Sequence, residues 1–271
     1  VCWTAPRGEG SMANSKKSRR PVLIAVLVAL VLVACGGAGY LAWQQYQFKQ
    51  AEQRMQQAGT PATSVEAPTT DTTELADNPI DFSKLWETNV DSYAWIYIPN
   101  TEINTPIQQS TTDDSYYLTH DEAKNDSITG AVFTQLANKR DFSDPVTVVY
   151  GHDNQGYFRN LHYFEDADFF NNNPNFFIYT PGHILTYTIV SAYKYDDRHI
   201  LNSFDFSKES VRQQYADFVK NPESLVKNVR QGVDVNADSK IVQLSTCMLN
   251  EYHGPSRYLV AGVLTSDQET K

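Results

Sequence analysis

A run of 22 residues, Val22–Trp43, is almost entirely apolar and limits where the rest of the chain can fold. About 20 apolar residues span a lipid bilayer as a helix. Four basic side chains lie just before the run: Lys16, Lys17, Arg19 and Arg20. Positive charge on the N-terminal flank keeps that side of a membrane helix in the cytoplasm. The sequence therefore predicts a single-pass protein whose N-terminus is cytoplasmic and whose remaining bulk is extracellular.

Cys35 within this run allows a second interpretation. The segment Leu32-Val33-Ala34-Cys35-Gly36 has the small-residue-then-cysteine form of a lipoprotein cleavage site. Processing there would make a lipidated Cys35 the mature N-terminus. The apolar run continues past Cys35 to Trp43, which favours an uncleaved anchor. Both interpretations tether the following domain to the outer face of the membrane.

Composition divides the chain into four parts. Residues 1–21 hold the basic flank and an N-terminal extension, and the residues before Met12 are interpreted as a tag or an upstream extension. Residues 22–43 are the predicted anchor. Residues 44–80 are rich in Gln, Ala, Thr, Pro and Glu, and such a segment buries too little apolar area to offset its ordering entropy. We therefore expect an extracellular linker at 44–80 and one folded domain at 81–271.

Charge separates along the same division. Residues 1–70 carry seven Lys+Arg and three Asp+Glu, a net charge of +4, so the total of −10 leaves −14 for residues 71–271. An acidic outer domain argues against nucleic acid as a partner.

Short β-branched and aromatic segments separated by turn residues recur through the folded domain, without a regular alternation of strands and helices. This pattern predicts a mainly antiparallel β-sandwich or β-barrel. The predicted strands are Ala94–Ile98, Ala131–Thr134, Val146–Tyr150, Phe176–Tyr179, Leu185–Tyr193, Ile241–Thr246 and Tyr258–Leu264. Helical patterns cover Asp81–Tyr93, Tyr157–Phe164, Ser207–Lys220 and a shorter segment after Pro222.

Three chemically active side chains lie at the ends of predicted strands. Cys247 follows the strand that starts at Ile241, and Arg257 opens the next strand. His152 comes two residues after Tyr150, at the end of another strand. Cys247 is also the only cysteine of the predicted extracellular domain, which indicates either a reactive thiol or an inert buried one. The strand-end setting beside a histidine and an arginine favours the reactive thiol.

These three residue types suit nucleophilic acyl transfer. A free thiol is mostly protonated at neutral pH, and a neighbouring imidazole or guanidinium raises its thiolate fraction. Histidine can protonate a departing amine and deprotonate an incoming one. Arginine does not transfer protons, but its fixed donors suit the oxyanion of a tetrahedral intermediate.

The segment around the cysteine resembles a known family signature. Gln243-Leu244-Ser245-Thr246-Cys247 is similar to the Thr-Leu-x-Thr-Cys signature of the sortases, with Gln243 where the family usually has threonine. Gly151-His152 upstream and Arg257 downstream complete the resemblance. It covers roughly Asp81 to Thr265, and the long insertion that contains the 207–220 helix resembles class B.

The resemblance implies a closed eight-stranded β-barrel with N-terminal helices and a long helix inserted before the cysteine strand. It also implies a membrane-anchored cysteine transpeptidase of Gram-positive bacteria, with Cys247, His152 and Arg257 as catalytic residues. Such an enzyme cleaves a sorting motif in a secreted surface protein. It then joins the thioester to an amine of a lipid-linked peptidoglycan precursor or of a pilin.

By the same resemblance, Ser245, Asp114, Leu118 and Leu201 are expected to contact the sorting peptide. No metal or cofactor is expected. The other histidines, including His162, show no metal-ligand spacing and are interpreted as surface or structural residues. His253 and Glu251 lie in the loop between Cys247 and Arg257, where either could line the site.

Two other functions remain compatible with the sequence. A thiol peptidase would use the same cysteine and histidine but release the thioester to water, although papain-type enzymes place Cys before His in the chain. A non-catalytic, anchored binding domain would keep the barrel only. Replacing Cys247 with alanine separates this domain from either enzyme.

Overall fold

The computed structural model describes residues 20–57, 75–154, 156–249 and 254–271, and it divides into two compact units at the boundary between Tyr46 and Gln47. The helices are α1 (Arg20–Gln57), α2 (Phe82–Thr88), α3 (Ala167–Asn172), α4 (Ile200–Ser203) and α5 (Glu209–Lys220). The strands are β1 (Ser92–Tyr97), β2 (Asn104–Gln108), β3 (Val146–Tyr150), β4 (Asn175–Thr180), β5 (His183–Asp196), β6 (Lys227–Val229), β7 (Ile241–Cys247) and β8 (Ser256–Glu269). Two 3-10 helices cover Tyr116–Leu118 and Phe158–Glu165.

Helix α1 contains the predicted apolar run and continues beyond it to Gln57. Its segment Val26–Trp43 is long and apolar enough to cross a membrane, and none of that segment is buried. Residues 58–74 of the predicted linker lie outside the described residues.

The folded domain is built on one curled sheet with the strand order β2-β1-β4-β5-β8-β7-β3, and β6 pairs with β5 beside this path. Every pairing is antiparallel except that of β3 with β7, which is parallel. The domain is therefore mainly β, as the strand patterns predict.

The expected closed barrel of eight strands is not formed by continuous pairing. Between the two ends of the sheet lies Phe133, which makes a single bridge to Gln108 of β2 and another to Tyr150 of β3. The predicted strand at Ala131–Thr134 is thus reduced to this bridge. Gly130, at φ +57°, turns the chain just before it, and a backbone hydrogen bond from Asn138 to Gln135 turns the chain just after it. The segment is too short to pair along either edge.

Strand β7 is buried on both faces, which explains its nearly continuous apolar sequence. Val242 and Leu244 join the core enclosed by the curled sheet. Ile241 points the other way and joins a second core beneath α5, because side chains alternate along a strand. Helix α5 contributes Tyr215, together with Ala216 and Val219, to that second core.

Two helix predictions are wrong in extent. The pattern at Asp81–Tyr93 gives only α2, because the buried Asn89 side chain ends the helix by donating to Gln108, Tyr117 and the Glu122 carbonyl. The segment after Pro222 is not helical. There Ser224 bonds to the backbone of Val226 in both directions, and the chain then enters β6. Strands β2 and β6 were not predicted from the sequence.

Gly262 of β8 provides a test of packing inside the curled sheet. A Cβ atom at this position would overlap the Phe176 ring and approach Cβ of Tyr187 at 3.1 Å. We expect Gly262→Ala to lower the free energy of unfolding by about 1–3 kcal/mol, because a close-packed core does not admit another methyl group. Chemical denaturation measures this change. The exposed Ser266→Ala on the same strand is the control, and equal stability of the two variants would contradict this packing.

Candidate active site

The parallel pairing of β3 with β7 brings two predicted catalytic residues to the same end of the sheet. Tyr150, the last residue of β3, pairs with Ser245 of β7, and the Gly151 N–H continues the ladder by donating to the Ser245 carbonyl at 3.1 Å. His152 follows directly on one strand, and Cys247 ends the other. Because parallel strands point the same way, both residues leave the sheet at one edge.

Arg257 is brought to the same edge by the antiparallel neighbour of β7. Cys247 and Arg257 are register partners in β7 and β8, as predicted. The guanidinium Nη1 donates to the carbonyls of Gly254 and Ser256, each at 2.9 Å. These bonds fix one side of the planar group, and its other nitrogens donate to none of the described residues.

The Cys247 thiol is free and half-buried at the strand end. Such a position shields the sulfur from bulk solvent without removing access to it. Residues 250–253 of the following loop, including Glu251 and His253, lie outside the described residues.

The His152 ring is held by a backbone carbonyl. Its Nε2 lies 2.8 Å from the carbonyl oxygen of Leu118. Since a carbonyl only accepts hydrogen bonds, Nε2 carries the proton in this bond. Nδ1 is therefore the nitrogen that remains available for proton exchange.

Gly130 packs against this histidine and was missed at the sequence level. A Cβ atom here would lie 3.0 Å from His152 Cδ2 and 3.0 Å from the Leu118 carbonyl, and it would overlap the Tyr117 carbonyl. The residue also adopts φ +57°, which glycine tolerates best. The Thr129-Gly130 turn thus packs against the His152 imidazole. In the sequence, only the glycine indicated such a close contact.

The four residues expected to contact a peptide lie in different settings. Leu118 is 41% exposed beside His152, whereas Ser245 is 6% exposed within the ladder. Asp114 accepts a hydrogen bond from the Leu136 N–H at 2.6 Å. Leu201 of α4 lines a cavity of about 740 Å³ with Val146, which begins β3, so it lies toward the other end of that strand. Their role in peptide binding stays a prediction.

His162 lies next to the cysteine, although the sequence showed no spacing that indicated this. Its ring belongs to the 3-10 helix Phe158–Glu165, and Nε2 lies 3.0 Å from the Cys247 carbonyl oxygen. Nδ1 lies 2.6 Å from Oε1 of Glu165, and the ring stacks on Tyr258 with centroids 4.8 Å apart. Burial raises the pKa of the nearby Asp153 carboxyl, and the field of His162 partly offsets that effect. Of the two interpretations of His162, as a surface or as a structural residue, the structure supports the structural one.

Comparison with known proteins identifies the family. The model of the sortase domain matches residues 96–265.

The chain belongs to the sortase family.

Class B members are among its relatives. Sortase B of Listeria monocytogenes is 28% identical over 246 residues, which cover 88% of this chain and 96% of the relative. The crystal structure of Clostridium perfringens sortase B is 27% identical with a TM-score of 0.61, over 69% of this chain and all of that one. A Streptococcus pyogenes class B sortase involved in pilus biogenesis is 25% identical with a TM-score of 0.58, over 69% and 98% of the two chains.

These matches support class B for this sortase, in agreement with the resemblance of the insertion before the cysteine strand. Sortases are cysteine transpeptidases as a family. The sortase fold of the neighbours also matches the curled, mainly β sheet described above.

Substitution of Gly130 tests its packing against His152. We expect Gly130→Ala to destabilise the domain by about 1–2 kcal/mol from its left-handed backbone and by about 1–3 kcal/mol more from crowding. Gly182→Ala is a matched control, because Gly182 also has a positive φ, +88°, but nothing lies within 4 Å of its added Cβ. Chemical denaturation compares the two variants, and ¹⁵N NMR of the imidazoles detects displacement of His152. Equal losses of unfolding free energy in the two variants, together with an undisturbed His152, would contradict the contact between Gly130 and His152.

Proposed function

We propose that this sortase is a class B transpeptidase that joins secreted surface proteins to an amine of the cell wall. The observation that carries the proposal is the register pair of Cys247 with Arg257, next to the strand end that bears His152. A thiol nucleophile, a proton-transfer group and a fixed cation then share one edge of the sheet. Acyl transfer through a thioester requires these three functions.

In the first half-reaction, the Cys247 thiol gives its proton to His152, and Sγ attacks the carbonyl carbon of a threonine-like residue in the sorting motif. The tetrahedral oxyanion accepts hydrogen bonds from the Arg257 nitrogens that do not bind Gly254 and Ser256. As the peptide C–N bond breaks, His152 gives a proton to the departing amine. Because Nε2 donates to Leu118, we assign this exchange to Nδ1. The product is a thioester on Cys247.

In the second half-reaction, an acceptor amine attacks the thioester carbonyl. His152 takes a proton from the attacking nitrogen, the C–S bond breaks, and the Cys247 thiolate leaves. We assign the amine to a lipid-linked peptidoglycan precursor. A pilin amine is the second acceptor considered, since the similar Streptococcus pyogenes enzyme is involved in pilus biogenesis.

The substrate groove is proposed to run past Leu118, whose exposed side chain and His152-bonded carbonyl lie on one short 3-10 helix. Asp114 precedes this helix and is fixed by Leu136. Ser245 precedes the nucleophile by two residues in β7. Leu201 completes the proposed set from the insertion.

The membrane-spanning part of α1 is proposed to anchor the enzyme with its N-terminus in the cytoplasm. The apolar segment Val26–Trp43 and the basic residues before it support this orientation. The catalytic domain would then face the secreted substrates and the wall precursor.

The transpeptidase proposal is tested with the full-length chain in detergent micelles, a panel of sorting peptides and an added amine. We expect mass spectrometry to detect a thioester on the peptide that contains Cys247, and an amine-joined product. Both should be absent in Cys247→Ala. Hydrolysis to the free acid despite abundant amine would instead identify a thiol peptidase, and no adduct with any peptide would favour a domain that only binds.

Arg257→Lys tests the oxyanion role separately from charge. Lysine keeps the positive charge but loses the fixed fork of donors. We expect kcat to fall about 10²- to 10³-fold, the cost typical of losing an oxyanion donor. Arg198→Lys is the control, since Arg198 forms an exposed ion pair with Asp196, which lies opposite Ser256 in the sheet. Equal rates of the two variants would remove Arg257 from the mechanism.

A further inference from the structure

The ring of His162 is buried beside Cys247 and has no part in the proposed reaction. Its side chain is 4% exposed, so its two nitrogens are satisfied by protein groups rather than by bulk water. Nε2 faces the Cys247 carbonyl at 3.0 Å and Nδ1 faces the Glu165 carboxylate at 2.6 Å. The bond to Cys247 joins positions 85 residues apart in the chain.

Both partners of this ring are hydrogen-bond acceptors. A carbonyl oxygen has no proton to give, and neither has an ionised carboxylate. The two bonds are complete only when His162 carries protons on both nitrogens, as an imidazolium paired with Glu165. A neutral ring has a single N–H and leaves one acceptor facing a lone pair.

The bond to Cys247 is made at the point where the chain leaves the sheet. Cys247 is the last residue of β7, so the ladder does not hold the peptide unit beyond it. The Cys247 side chain departs from the same Cα that bears the tethered carbonyl. Fixing this carbonyl therefore fixes the Cα atom from which the Cys247 side chain extends toward the substrate.

The surroundings hold the ring in one orientation. Tyr258, the neighbour of Arg257 in β8, stacks on it at 4.8 Å. Asn228 of β6 donates to the carbonyls of Phe164 and Glu165 at 2.8 and 3.0 Å, which secures the turn that presents the carboxylate. Strands β8 and β6 thus hold the His162 ring and the Glu165 carboxylate in place.

We propose that His162 is a positioning residue, which holds the nucleophile Cys247 through its backbone carbonyl and is itself oriented by Glu165. The inference rests on the proposed function, because positioning matters only if Cys247 reacts. The ring does not touch the substrate. It acts through the cysteine, and it is separate from His152.

The groups around the ring are Glu165 on its own helix, Asp153 after β3, and Cys247 and Tyr258 on the sheet. A ring with a single N–H bonds preferentially to the charged Glu165. Nε2 then presents a lone pair to the Cys247 carbonyl, so the hydrogen bond to Cys247 requires the second N–H of the ring.

The experiment compares His162→Phe with the wild-type, full-length chain in detergent micelles. Phenylalanine keeps the ring and its stacking on Tyr258 but removes both N–H groups. We expect kcat to fall about 10- to 100-fold, because a small misplacement of a reacting group is costly. KM should change less than about threefold, since the substrate contacts are untouched. His183→Phe is the control, because it removes another histidine–acid pair, with Asp267, at the opposite end of β8 from Arg257.

The Glu165→Gln variant distinguishes the hydrogen bond between His162 and the Cys247 carbonyl from the charge of the Glu165 carboxylate. A glutamine amide can donate to Nδ1, so a neutral His162 keeps its Nε2–H on the Cys247 carbonyl. We expect this variant to retain kcat within about fivefold of the wild type, because the hydrogen bond to the Cys247 carbonyl is kept.

Two measurements keep the test decisive if a variant fails to fold or if no peptide reacts. The first is the alkylation rate of Cys247 by iodoacetamide, read from its own tryptic peptide so that Cys35 does not interfere. It should fall in His162→Phe even if transpeptidation itself is absent. The second is ¹⁵N NMR of histidine-labelled wild type, where both His162 nitrogens should be protonated at neutral pH. Unchanged kcat and alkylation in folded His162→Phe, or an unprotonated Nε2 in the wild type, would overturn the inference.

Discussion

The parallel pairing of β3 with β7 is the constraint on which the site depends. In an otherwise antiparallel sheet, this one pair makes Gly151-His152 and Cys247 leave at the same edge. Antiparallel pairing would separate the two strand ends by the length of β3, about 16 Å for five residues. A parallel pair requires a long crossover. Here that crossover contains β4, β5, β6 and the inserted helices, so about half of residues 81–271 connect the two strands.

Gln243 links the cysteine strand to the inserted helix. It is fully buried between the ladder and α5, and its Oε1 accepts hydrogen bonds from the hydroxyls of Tyr193 and Tyr215 at 3.1 and 3.2 Å. Tyr215 belongs to α5 itself. These two bonds satisfy the buried Oε1 atom of Gln243. The residue that departs from the usual family signature thus ties this sortase's insertion to the strand that ends in Cys247.

The sequence predicted the parts of the fold that have a local signal. The segments that became β3, β7 and β8 are rich in apolar and β-branched residues, and the short loop between β7 and β8 placed Cys247 opposite Arg257. Strand β2 carries Asn104 and Pro106, so its local preference for strand is weak. Its buried Gln108 is held by distant bonds that no local window contains. The same reason hid Gly130 and His162, whose partners His152 and Cys247 are distant in the chain.

The crossover between β3 and β7 also determines when during folding a working site can exist. His152 and Cys247 are about 95 residues apart, and the entropy of closing such a loop must be overcome before the two strands meet. A chain that is synthesised from its N-terminus presents β3 long before β7 arrives. Until then β3 lacks its partner strand, and the Cys247 thiol has neither His152 nor Arg257 beside it. The proposed nucleophile therefore meets its proposed partners only when β3 and β7 pair.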